Sequence, residues 1–136
     1  MQILTWNIMK KKNKIQKVCV IGQGFVGLPM SIAISNSKNK QGKNYFEVIG
    51  IEKDNNKGRI LKEKINSGEL PINSSDEKIY KKFKSSLVAK NFQVSNDLNE
   101  IRNANIIIVS INFEIIGKSS QPFKNLKFFF NKISKM

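Results

Sequence analysis

The segment Val18-Cys-Val-Ile-Gly22-Gln-Gly24-Phe-Val-Gly27 constrains this chain more than any other. A short apolar run ends in a G-x-G-x-x-G and opens directly into Leu28-Pro-Met-Ser-Ile-Ala-Ile34. The order is strand, glycine turn, helix. Such a turn sets backbone N–H groups at a helix N-terminus, where they can hold a pyrophosphate. Each glycine has its own expected role. Gly22 allows the tight turn out of the strand, Gly24 lets a pyrophosphate approach the backbone, and Gly27 lets helix and sheet pack closely. Glu52 lies 25 residues beyond Gly27, at the end of the next apolar run. An acid there would take ribose hydroxyls and repel a 2′-phosphate, which favours NAD over NADP.

The remaining pattern alternates strands with helices. Val18 to Ile21 reads as a buried parallel strand, and Phe25 to about Asn36 as a helix with Pro29 tolerated in its first turns. Phe46 to Ile51 is a second strand, followed by a helix from about Lys57 to Ile65. Asp76 to Leu87 is helical, with Ile79, Tyr80, Phe83 and Leu87 on one side. Phe92 to Val94 is a short third strand. Asp97 to Arg102 is a short helix that Asn96 or Asp97 caps. Ile106 to Ile111, β-branched and bounded by polar residues, is a fourth strand. Pro122 begins a last helix whose apolar face combines Phe123, Leu126, Phe129 or Phe130, and Ile133. This predicts an α/β fold, a Rossmann-like parallel sheet with flanking helices. A complete unit has two βαβαβ halves. About four strands are visible, so the domain over 17–136 is expected to be incomplete, with residues 1–16 as a basic extension. The fourth strand would then carry an exposed edge, through which a dimer is expected.

Composition narrows the chemistry. The chain of 136 residues has no histidine, which removes the usual general base and the Ser-His-Asp and Cys-His nucleophile pairs. No metal is expected, because most zinc sites use histidine and the single cysteine excludes any CxxC motif. That cysteine, Cys19, sits inside the first strand and reads as a core residue. One cysteine also suits a reducing, cytoplasmic compartment. The net charge of +14 raises the possibility of a polyanion partner. Yet only Arg59 and Arg102 are arginines, and arginine is the preferred residue for bidentate phosphate and base contacts. Nucleic acid is therefore disfavoured, and a small basic binding module is kept as the alternative. A basic start followed by an uncharged stretch from Val18 to Ser37 has the outline of a signal peptide. Gly22, Gln23, Gly24, Gly27 and Pro29 interrupt it, and the glycine-turn reading accounts for them. Glu114, beyond the fourth strand, is either near the ligand end of the sheet or a solvated loop acid.

Several separated segments together resemble the NAD-binding domain of the UDP-glucose/GDP-mannose (nucleotide-sugar) dehydrogenase family. Val20-Ile-Gly-Gln-Gly-Phe-Val-Gly-Leu-Pro29 is similar to the family's V-I-G-x-G-Y-V-G-L-P. Val48-Ile-Gly-Ile-Glu52 is similar to V-I-G-x-D, and Asn66-Ser-Gly-Glu-Leu-Pro71 to N-x-G-x-x-P. Ala104 to Ile111 resembles the strand A-D-V-x-x-x-x-V. The resemblance implies cofactor contacts by Gly22, Gly24, Phe25, Val26, Gly27, Glu52, Lys57 and Ile111, with NAD as the cofactor. It also implies a complete enzyme that oxidises a UDP sugar to the uronic acid for polysaccharide biosynthesis, through a catalytic cysteine. The family's V-P-T-P after that strand is here Ile111-Asn-Phe-Glu114, so the threonine contact does not carry over. The acid-rich turn after N-x-G-x-x-P is likewise changed, to Asn73-Ser-Ser-Asp76. The catalytic cysteine and the sugar-nucleotide domain have no counterpart in these residues, and Cys19 does not match that cysteine. The chain alone is expected to bind NAD without dehydrogenase activity. A nucleotide sugar would bind only if a separate polypeptide completed the site.

Overall fold

The computed structural model describes residues 15–112 and 121–136. Most of the basic extension, including Trp6, and the candidate Glu114 lie outside the described residues.

The sheet is built from β1 (Gln16–Ile21), β2 (Phe46–Ile51), β3 (Phe92–Ser95) and β4 (Ile106–Val109). All neighbours are parallel, in the order β3-β2-β1-β4. The chain steps outward from β1 through β2 to β3, then returns to the other side of β1. Right-handed crossovers place the connections before and after that return on opposite faces of the sheet. Both faces are therefore covered, which is why the buried parts of β1 and β2, Val18 to Ile21 and Val48 to Ile51, read as continuous runs without charge.

The pleat divides each run between two cores. Val18, Val20, Val48, Phe92 and Val94 face one side, against Leu28, Ile32, Ile65 and Phe83. Those partners come from α1 (Gly27–Ser35), α2 (Asn56–Asn66) and α3 (Glu77–Val88). Cys19, Ile21, Ile49 and Ile51 face the other side, against Ile101 in a 3₁₀ turn over Leu98–Asn103. Phe129 and Ile133 of α4 (Gln121–Ile133) pack against this second core. A polar seam joins α1 to α3: the Ser35 and Ser86 hydroxyls meet at 2.7 Å, and Asn36 Nδ2 donates to the Lys82 carbonyl at 2.9 Å.

Side chains set the helix starts. Asn55 accepts from Gly58 N–H and Asp76 from Lys78 N–H, so each caps its helix. Asp97 caps the 3₁₀ turn, which decides between the two cap candidates. Asn96 instead turns its Nδ2 to the Lys53 carbonyl at 3.1 Å.

Element boundaries differ from the sequence reading in three informative places. The first helix starts at Gly27, because Gly24 to Val26 form the turn that enters it. β1 begins at Gln16, whose N–H bonds the Tyr45 carbonyl. β4 ends at Val109, because Ser110 and Ile111 bend over the glycine turn, with Ser110 N–H donating to the Ile21 carbonyl at 2.7 Å.

The two edges of the sheet are unlike. On β3, the Asn66 side chain donates to the Val94 carbonyl and accepts from Val94 N–H, both at 2.8 Å. It thereby occupies backbone groups that another strand could use. On β4, Ile106 and Ile107 are exposed, and no described residue pairs with the outer side of the strand. In α4, Phe129 is half-buried whereas Phe128 and Phe130 are exposed, which settles the choice between Phe129 and Phe130.

Phe83 is 1% exposed and meets Phe92 edge-on at 6.5 Å between ring centres. Phe83→Ala should cost about 3–5 kcal/mol in urea unfolding. Phe130→Ala should change stability by less than about 0.5 kcal/mol.

Candidate functional site

The C-terminal ends of the strands meet at the point where the strand order reverses. In open α/β sheets this is where ligands bind. Three backbone hydrogen bonds hold the ends in register. Gly22 N–H donates to the Ile51 carbonyl at 2.8 Å, Ser110 N–H to Ile21, and Glu52 N–H to Ser95 at 3.0 Å. Above them opens a cleft of about 1110 Å³.

Seven of the eight predicted contact residues line this cleft: Gly22, Gly24, Phe25, Val26, Glu52, Lys57 and Ile111. Gly27 does not line it and lies beneath the turn. A Cβ at Gly27 would fall 1.7 Å from the Gly22 carbonyl oxygen. At Gly22, φ is +93° and a Cβ would fall 2.2 Å from the Ser110 oxygen. Both residues are glycine because the fold leaves no room for anything else. Gly24 is different. A Cβ there would meet nothing within 4 Å, and it would project from a residue that lines the cleft.

The N-terminus of α1 follows at once. Its N-cap is Val26, no side chain accepts a hydrogen bond from the first turn, and no acid lies in that turn. The partial positive charge of the helix end is thus not offset by a capping side chain or an acid of the first turn. Glu52 stands opposite, half-buried at the end of β2. Its Oε1 accepts the Gln23 N–H at 2.5 Å and its Oε2 the Lys53 N–H at 3.3 Å. Lys57 is exposed in the first turn of α2. Phe25 and Val26 project into solvent at the mouth. The site thus sets a glycine turn and a helix N-terminus beside a carboxylate held by two backbone N–H groups.

Sequence reasoning missed part of the lining. Asn125, Phe128, Phe129 and Lys132 reach the cleft from α4, and Leu98 from the 3₁₀ turn. No local pattern marks them, since only the packing of these elements brings them there. Ser110 was findable, as the residue beside Ile111 at the end of a strand.

Asp54 also lines the cleft and is tied to Arg59, with Nε donating to Oδ1 at 2.7 Å. That hydrogen bond and the arginine's charge hold the Asp54 carboxyl below the usual carboxylate range. The other arginine, Arg102, donates from Nη1 to the Met136 carbonyl at 3.1 Å. Both arginines are thus engaged within the chain. Cys19 is buried, and burial, reinforced by the charge of Glu100, pushes its thiol up to about 12. Among the described residues, no group of His, Cys, Asp and Glu is placed to hold a metal ion, and no helix is long and apolar enough to cross a membrane.

A parallel sheet of this order, with a glycine turn and an acid at its reversal point, is Rossmann-like. The chain belongs to the UDP-glucose/GDP-mannose dehydrogenase family, matching its NAD binding domain over residues 16–135. Solved structures agree in fold. An NDP-N-acetyl-D-galactosaminuronic acid dehydrogenase from Methanosarcina mazei Go1 superposes with a TM-score of 0.67 at 18% identity, over 83% of this chain and 24% of that one. A UDP-D-ManNAc dehydrogenase from Pyrococcus horikoshii gives 0.61 at 22% identity, over 75% and 21%. A GDP-mannose dehydrogenase from Pseudomonas aeruginosa gives 0.62 at 14% identity, over 85% and 24%. The chain thus spans about a quarter of the length of these proteins. A comparison with curated protein sequences gives no match.

The glycine geometry predicts a split in mutant stability. Gly22→Ala and Gly27→Ala should each cost about 3 kcal/mol or more in urea unfolding, through strain and overpacking. Gly24→Ala should stay within about 0.5 kcal/mol of the parent. For Cys19, the native protein should resist a thiol reagent at neutral pH and react on denaturation. Above pH about 9 the unfolded chain ionises its thiol before the folded one does. Folding stability from this group therefore falls as pH rises beyond that point, and labelling should accelerate.

Proposed function

We propose that the cleft holds NAD, with the turn from Gly22 to Gly27 against the pyrophosphate and Glu52 on the adenosine ribose. The observation that carries this reading is the open space at Gly24. Its missing side chain serves no packing need of the chain, so the vacant volume suits a ligand that approaches the backbone. The N–H groups of the α1 N-terminus face the phosphates, and their dipole offsets the negative charge. Glu52 accepts from the ribose hydroxyls while Gln23 and Lys53 keep it oriented. Lys57 adds a positive charge beside the phosphates, and Phe25, Val26 and Ile111 provide apolar contact along the cofactor. NAD so bound supplies a hydride acceptor.

The domain comprises residues 17–136, preceded by the basic extension, and works in the cytoplasm. It is the cofactor half of a nucleotide-sugar 6-dehydrogenase that oxidises UDP-glucose or a related UDP sugar to the uronic acid. The nucleotide sugar and the catalytic groups belong to polypeptide outside these residues, so the 136-residue chain binds NAD without turnover. The outer edge of β4, unpaired among the described residues, is where further sheet, or a second copy of the chain, would pair. A nucleic-acid role has only lysines to draw on, since Arg59 and Arg102 are both engaged internally.

Calorimetric titration should give saturable NAD binding that changes little with salt, and weaker NADP binding. Gly24→Ala should weaken NAD binding at least about tenfold with little loss of stability. Glu52→Gln should narrow the gap between NAD and NADP. A folded protein that ignores NAD, or whose binding survives Gly24→Ala unchanged, would refute the assignment. Salt-sensitive binding of duplex DNA by such a protein would favour the alternative.

A further inference from the structure

Gln23 is 1% exposed, although it sits in a turn whose neighbours line the cleft. Its side-chain amide lies over Gly50. A Cβ at Gly50 would come within 2.5 Å of Gln23 Cδ and 2.8 Å of both Nε2 and Oε1. Gly50 pairs with Val20 across β1 and β2, and Gln23 Nε2 donates to the Val20 carbonyl at 2.9 Å. The amide is keyed into a notch that only a glycine in β2 provides. Its orientation is fixed too, because the flipped amide would set its oxygen against the Val20 oxygen. Yet Oε1 is buried with no hydrogen-bond partner among the described residues. A buried unpaired acceptor lowers stability, and an apolar residue of similar size would avoid that loss. What the keyed side chain does fix is its own backbone, whose N–H donates to Glu52 Oε1.

We propose that Gln23 is a positioning residue for Glu52, and through it sets the preference for a free ribose 2′-hydroxyl over a 2′-phosphate. The proposal rests on the reading of the cleft as an NAD site. A carboxylate held in place meets a 2′-phosphate with a fixed like charge. A carboxylate released from the Gln23 N–H turns outward and leaves Lys53 and Lys57, which also line the cleft, to receive that phosphate. The buried Gln23 side chain does not line the cleft.

The test is calorimetric titration with NAD and NADP of the parent chain, Gln23→Ala, Gln23→Met, Gly50→Ala and Glu52→Gln, with a thermal melt of each. Gln23→Ala should lower the NAD-to-NADP affinity ratio about three- to tenfold, the scale of one lost positioning hydrogen bond. Gln23→Met keeps the volume without the amide, and should shift the ratio the same way if the alanine variant unfolds. Gly50→Ala displaces the amide and should act in the same direction. In the Gln23→Ala background it should lower the ratio no further, because the two residues share one interaction. The proposal is overturned if the Gln23 and Gly50 variants fold and keep the parent ratio while Glu52→Gln loses it. If Glu52→Gln keeps the ratio as well, or the parent binds neither dinucleotide, the site assignment fails and takes this inference with it.

Discussion

The whole arrangement depends on the approach of one backbone to another at Gly27. The first residue of α1 lies so close to the Gly22 carbonyl that a single added carbon would overlap it. Only at that distance can the helix begin directly above the end of β1, with its N-terminus aimed at the reversal point of the sheet. Gly22 makes the same demand from the other side, where Ser110 crosses over the turn. Because β4 delivers Ser110 to that crossing, the far side of the sheet helps to set the shape of the turn. The cleft is thus a product of two backbone contacts, and its side chains come afterwards.

Much of this was legible in the sequence because the constraint is local. Strand, turn and helix follow one another without a gap, and Gly22 and Gly27 must be where they are. Glu52 was equally readable, as an acid at the end of the next apolar run. The inner strands stand out because both faces of the sheet are covered, so Val18 to Ile21 and Val48 to Ile51 carry no charged residue. What stayed hidden depends on distant packing. Ile106 to Val109 is the most β-branched strand in the chain, yet it is an exposed edge, because exposure depends on neighbours and not on propensity. The α4 residues that wall the cleft carry no signal of their own. Gln23 occupied an unassigned position of the motif, and its meaning appears only with Gly50 beside it.

Charge follows a similar logic. A chain with 24 basic and 10 acidic residues invites an electrostatic account of its purpose. The structure gives Arg59 and Arg102 internal partners, to Asp54 and to the Met136 carbonyl. The three described ion pairs all have side chains more than a third exposed, so they add little to stability. The lysine excess is mainly a property of the solvated surface. Near the cleft, Glu52 is held by the backbone N–H groups of Gln23 and Lys53, with Lys53 and Lys57 beside it.

The position of β1 has a consequence for how the molecule comes into being. The central strand is among the first parts of the domain to be synthesised, but its second partner arrives much later. Lys17 and Asn105, which bond at that junction, are 88 residues apart in sequence. Until β4 is made, one side of β1 has no neighbour, while the apolar residues on both its faces are already available. Such long-range parallel pairing folds slowly, and an unpaired central strand is a point of capture for other chains. The same topology that gathers three strand ends around one cleft therefore obliges the nascent chain to wait, with β1 half-partnered, for β4 to arrive.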